Sequence, residues 1–79
     1  MPRFFFNVIS GHSTIDDQEG TELPSLDQAL EEARKDARAL MSEAVLQGRD
    51  ISEGCIIIRD NEQELLKVVR FADALDKKN

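Results

Sequence analysis

The segment Ser25 to Gly48, SLDQALEEARKDARALMSEAVLQG, constrains this chain more than any other stretch. It is one uninterrupted helical pattern among short apolar runs. Ser25 and Gln28 stand at capping-box spacing, where the serine oxygen accepts the Gln28 amide. Pro24 cannot lie inside a helix, so it marks the start. Apolar residues recur at Leu26, Ala29, Leu30, Ala33, Ala37, Leu40, Met41, Ala44 and Val45, which draws one stripe down a helix. Glu31, Arg34, Lys35, Arg38 and Ser42 fall away from it. Gly48 stands where a left-handed closing residue is wanted. Small residues dominate the middle of the stripe, so the helix is expected to lie close on a flat surface, which implies a sheet.

At 79 residues the chain makes one small domain, 1–79, near the size at which a core is barely sufficient. Arg3 to Ile9, RFFFNVI, is aromatic and β-branched, as strands prefer. Ser10-Gly11-His12 is a turn, and Ser13 to Asp16 returns as a short second strand with Ile15 inward. Asp17 to Leu23, with Gly20 and several acids, is a loop leading into the helix. Beyond the helix, Arg49 to Gly54 is a connection in which Ile51 plugs the core. Cys55 to Arg59, CIIIR, is a buried strand, and Asp60 to Gln63 is a turn in which Asn61 is best able to take a positive φ. Glu64 to Phe71 is the last strand, and Ala72 onward is a tail that frays.

The fold expected is α+β. It is a ββαββ chain with a four-stranded antiparallel sheet in the order 2-1-3-4 and one long helix on one face. The first and third strands are the most apolar and central; the short second strand and the fourth, with Lys67 and Arg70, suit edges.

This arrangement leaves too much apolar surface. A half-covered antiparallel sheet should alternate apolar and polar residues. Strand one instead has Phe4, Phe6 and Val8 on one side and Phe5 and Ile9 on the other. Strand three sets Ile56 and Ile58 against Cys55 and Ile57; strand four sets Leu66 and Val68 against Leu65, Val69 and Phe71. Four strands span about 19 Å, and one helix is about 10 Å across. One helix cannot cover both faces. Either strand edges and the C-terminal tail hide the second face, or it is buried in an oligomer, most simply a homodimer, or against a partner, through Phe5, Ile57 and Val69. With reversed parity, Phe4, Phe6 and Ile58 would make that contact.

Chemistry is sparse. His12, near Ser10, Ser13 and Asp16, lies too close to them in sequence to build a catalytic pocket, so no catalytic residue is assigned and the chain is not expected to be an enzyme. Asp16, Asp17, Glu19 and Glu22 lack the spacing of a calcium loop, so no metal and no cofactor is expected; Asp16, Asp17 and Glu19 are expected to be exposed, while Glu22 lies close enough to the helix start to favour its positive end. Cys55, the single cysteine, permits no internal disulfide and is expected to be a small buried hydrophobe. A net charge of −6 argues against nucleic acid, including base stacking on Phe4–Phe6, and fits a basic protein partner. MPRFFFNVIS does not resemble a signal peptide and no stretch is long enough to span a membrane, so a cytoplasmic setting is expected.

Taken together, Pro2-Arg3-Phe4-Phe5-Phe6, the loop Asp17 through Glu19-Gly20-Thr21-Glu22-Leu23-Pro24, the Ala-spaced helix from Ala29 to Ala44, Gly48-Arg49 and Phe71-Ala72-Asp73-Ala74 carry a resemblance over nearly the whole chain. The chain resembles a family of small uncharacterised proteins, a domain of unknown function abundant in rhizobial and related alphaproteobacteria. That resemblance implies a bacterial cytoplasmic setting and no activity. Two functional classes stay open: a non-enzymatic protein-interaction or regulatory module acting as a homo-oligomer or acidic partner, and a small ligand- or metal-binding domain using the acidic loop 16–22.

Overall fold

The computed structural model describes residues 1–11 and 13–75. His12 and the basic end of the tail, Lys77-Lys78-Asn79, lie outside the described residues. In chain order the elements are β1 (Arg3–Ser10), β2 (Ser13–Ile15), β3 (Thr21–Glu22), α1 (Leu26–Leu46), β4 (Cys55–Arg59), β5 (Leu65–Arg70) and α2 (Phe71–Ala74). The class is α+β with one long helix, as expected. The antiparallel sheet has five strands rather than four, because two residues of the anticipated loop, Thr21 and Glu22, pair with Arg3 and Phe4. The main path runs β2-β1-β4-β5, with β1 and β4 central. β2 and β3 share one edge of β1, at opposite ends of it.

Local chemistry explains the limits of α1. Gln28 N donates to Ser25 Oγ at 3.2 Å, the N-cap bond that the spacing predicts. At the other end Gly48 takes φ +79°, Gly48 N donates to Val45 O and Arg49 N reaches back to Ala44 O at 2.8 Å. These two bonds form a Schellman close, and they satisfy carbonyls the helix leaves open.

The buried line of α1 is Ala29, Ala33, Ala37, Met41 and Ala44, flanked by the partly buried Leu26, Leu30 and Leu40. Val45, expected in the stripe, is 67% exposed. Each four-residue step overshoots a full turn by about 40°, so the line drifts and Ala44 replaces Val45 against the core.

Beneath the alanines lie Phe4, Ile56, Ile58 and Val69, with Phe71 and Ala74 from α2. Phe71 does not extend the last strand. Its amide makes one more bond in line with the ladder, donating to Gly54 O at 2.9 Å, its ring is fully buried, and one helical turn follows. Ile51 packs against the core as expected. Ile15 shares a face with Val8 by register, yet it is 64% exposed, because α1 packs chiefly over β4 and β5.

The turn before β5 also departs from expectation. Gln63, not Asn61, carries the positive φ, +66°. Asp60 organises this turn, with Oδ1 accepting from Glu62 N and Glu64 N while its carbonyl accepts Gln63 N. That pattern places the left-handed residue immediately before the returning strand.

Candidate interaction surface

Strand register fixes which side chains share the sheet face turned away from α1. Phe5 pairs with Arg59 and Arg59 with Leu65; Asn7 pairs with Ile57 and Ile57 with Val68; Thr14 pairs with Ile9, Ile9 with Cys55 and Cys55 with Arg70. Paired residues point to the same side of a sheet. Three cross-strand rows therefore lie on the uncovered face, with Ile57 in the middle. The Cα envelope of 37 × 32 × 16 Å is that of a slab one helix and one sheet thick.

Two of the three expected interface residues fall on this face. Phe5 and Ile57 do, both partly exposed. Val69 does not: it pairs with Ile56 on the helix side and is 6% exposed. The cause is a register shift between β4 and β5. Ile58 faces Lys67 while Arg59 faces Leu65, which leaves Leu66 as an extra residue. Leu66 and Val69, three apart, thus both pack on the core, and Leu65 and Val68 both turn outward, 52% and 47% exposed. Val68 takes the place expected for Val69. Cys55 is also on this face and only partly buried, so it is no core residue.

The polar groups of the face are engaged locally. Arg59 donates to Gln63 O at 3.1 Å, and Arg70 Nε donates to Asp73 Oδ2 at 3.1 Å. That bond and the Asp73 charge hold the Arg70 guanidinium still more firmly protonated. Asn7 Oδ1 accepts Asp17 N at 2.9 Å. Arg59 and Arg70 are the last residues of their strands, and Ile57 and Val68 sit in the middle row between them.

The acidic loop does other work. Asp17 is partly buried rather than exposed. Its Oδ2 accepts Phe6 N at 3.1 Å, and its Oδ1 accepts Gly20 N at 3.0 Å and Glu19 N at 3.3 Å. It stands in for a strand carbonyl in the gap between β2 and β3. Arg3 adds a bond to Glu19 O at 2.8 Å and an exposed ion pair with Glu22 at 3.1 Å. Asp16 and Glu19 are exposed as expected. Among the described residues, no three His, Cys, Asp or Glu side chains are gathered as a metal ion would need.

A concave feature lies on the opposite side, between α1 and the β1–β2 hairpin. Its larger end is a hollow of ≈ 430 Å³ with Phe6, Val8 and Leu40 in its lining and Asp17, Glu32 and Asp36 around it. A second hollow of ≈ 290 Å³ shares Val8 and Leu40 and continues past Ile15 and Glu43 toward Arg49. Burial, then the nearby Glu32 charge, pushes the Asp36 carboxyl above the usual range, with Lys35 opposing. Sequence reasoning missed this cleft. The signal for it was the short β2, set at the edge of the sheet away from the strands on which α1 chiefly packs.

The sequence matches the domain of unknown function DUF6894 over residues 3–72. The chain belongs to that family. No curated protein and no solved structure matches this DUF6894 chain. Among its described residues, no helix is long and apolar enough to cross a membrane.

Proposed function

We propose that this DUF6894 chain is a non-enzymatic interaction module that pairs with a second copy of itself through the uncovered sheet face, in a bacterial cytoplasm. The observation that carries the reading is the outward row Asn7–Ile57–Val68, flanked by Phe5 and Ile9, on a face with no covering element among the described residues. Burying each half-exposed apolar side chain contributes about 1 kcal/mol, a useful sum for a small fold. A two-fold arrangement sets the same patch against itself and closes after two copies. The resemblance to alphaproteobacterial proteins supports the bacterial setting.

Light scattering after gel filtration at micromolar concentration tests this. The expected mass is twice that of the 79-residue chain. Val68→Glu, on an exposed site of the edge strand, should return it to a single chain, while Glu31→Ala on the outer face of α1 should leave it paired. A single-chain mass for the unaltered protein overturns self-association.

The alternative, a small ligand- or metal-binding domain using loop 16–22, draws less support, because both Asp17 oxygens already accept backbone N–H groups. A sub-micromolar calorimetric affinity for a divalent cation, abolished by Asp17→Asn, would restore it.

A further inference from the structure

We propose that the cleft between α1 and the β1–β2 hairpin receives an extended segment of another protein in which apolar residues alternate with lysine or arginine. This surface lies on the helix side of the sheet, so the inference does not depend on the pairing proposed above.

The cleft is long. The two hollows meet at Val8 and Leu40 and run along α1 from Glu32 to its C-cap, Gln47. Fifteen residues of helix cover about 22 Å at about 1.5 Å each, the length of about seven residues of extended chain. Phe6 and Val8 are only partly buried, and Ile15 is mostly exposed, so the floor keeps apolar surface that α1 leaves open.

Its rim is acidic. Glu32, Asp36 and Glu43 follow one another at helical spacing along the wall, and Asp17 faces them from the loop. Among the described residues, the basic groups nearby are Lys35, 3.9 Å from Glu32, and Arg49 at the far end, which donates to Gln47 Oε1. Asp36 makes no ion pair among the described residues, and it stands against the like charge of Glu32. A cationic side chain relieves that repulsion. A purely polar cation leaves the Phe6–Val8 floor wet, and a purely apolar segment sets hydrocarbon against carboxylates. An occupant with both characters satisfies the cleft.

The test uses the full chain and a fluorescein-labelled seven-residue peptide of alternating leucine and lysine, read by anisotropy, with leucine–glutamate and serine–lysine peptides as comparisons. Leucine–lysine should bind, with amide shifts at Phe6, Val8 and Leu40, and the other two should bind at least about tenfold more weakly. Asp36→Lys and, separately, Glu43→Lys should each weaken binding about tenfold, whereas Glu31→Lys should weaken it less than about threefold. Glu31 lies outside the cleft and pairs with Arg34, so its reversal changes net charge equally without touching the site. Equal weakening by Glu31→Lys overturns the proposal in favour of net charge alone. Shifts confined to Ile57 and Val68 overturn it in favour of the sheet face. Movement of the Phe6 and Val8 amides on diluting the protein alone overturns it in favour of a second copy.

Discussion

Asp17 closes the exposed edge of β1 with one carboxylate, and that makes the loop around it a structural part rather than a solvated spur. Gly20 completes the arrangement. It takes φ +72°, and a Cβ there would stand 3.0 Å from Phe4 O and from the Phe5 ring. Gly20→Ala should therefore cost about 2–3 kcal/mol in urea unfolding, from the left-handed backbone and the crowding together. Gly48→Ala offers the comparison. Its φ of +79° is similar but its surroundings are open, so its loss should stay near about 1 kcal/mol. Equal losses at the two sites would show that crowding at Gly20 contributes nothing.

Asp36 gives a pH signature. A carboxyl raised in the folded state binds its proton more tightly there than in the unfolded chain. Its charge therefore costs stability above the raised value, and the cost fades as pH falls toward 3.8. Asp36→Asn should stabilise the protein slightly at pH 7, by less than about 0.5 kcal/mol for so exposed a group. The difference should vanish below about pH 4. A stabilisation that grows on acidification would contradict this.

Among the elements, α1 was the most legible, because caps, closing glycine and periodicity all agree over 21 helical residues. The short pieces were not. β3 has two residues and no apolar pattern, so only its pairing with Arg3 and Phe4 reveals it. β5 could not be read by alternation, because the extra residue at Leu66 breaks the period of two.

The turn α2 was hidden in an expected tail, and it changes the role of Arg38. That side chain lies off the apolar stripe and looks dispensable by pattern, yet its guanidinium donates to Ala74 O at 2.9 Å and ties α2 to α1. Arg38→Ala should cost about 1–2 kcal/mol and loosen amide protection at Ala74 and Leu75. Glu43→Ala, whose side chain is exposed, should change stability by less than about 0.5 kcal/mol. Equal effects would mean that the Arg38 bond adds nothing net.

At the scale of the whole molecule, the sequence carried the excess of apolar residues but not their final assignment. The doubled patterns of β1 and β4 left both parities open; the uninterrupted pairing of the two strands, with Phe4, Ile56 and Ile58 in the core, sets Phe5 and Ile57 together on the open face. Cys55 was misread because a cysteine beside three isoleucines looks like core; its register beside Ile9 and Arg70 puts it on the open face instead. That position makes the single cysteine a reporter for pairing. If two copies meet through this face, the thiol is covered in the pair and reachable in the single chain. Its reaction with a bulky maleimide should then slow as protein concentration rises through the dissociation constant, because only the dissociated fraction reacts. The dependence should disappear in Val68→Glu, leaving a rate equal to that of the dilute unaltered protein. Unfolding would also expose the thiol, so the rates belong well below the melting range, where that fraction is negligible. A concentration-independent rate in a protein that light scattering finds paired would move the contact to a sheet edge, β2 or β5, and leave Ile57 and its neighbours open to a different partner.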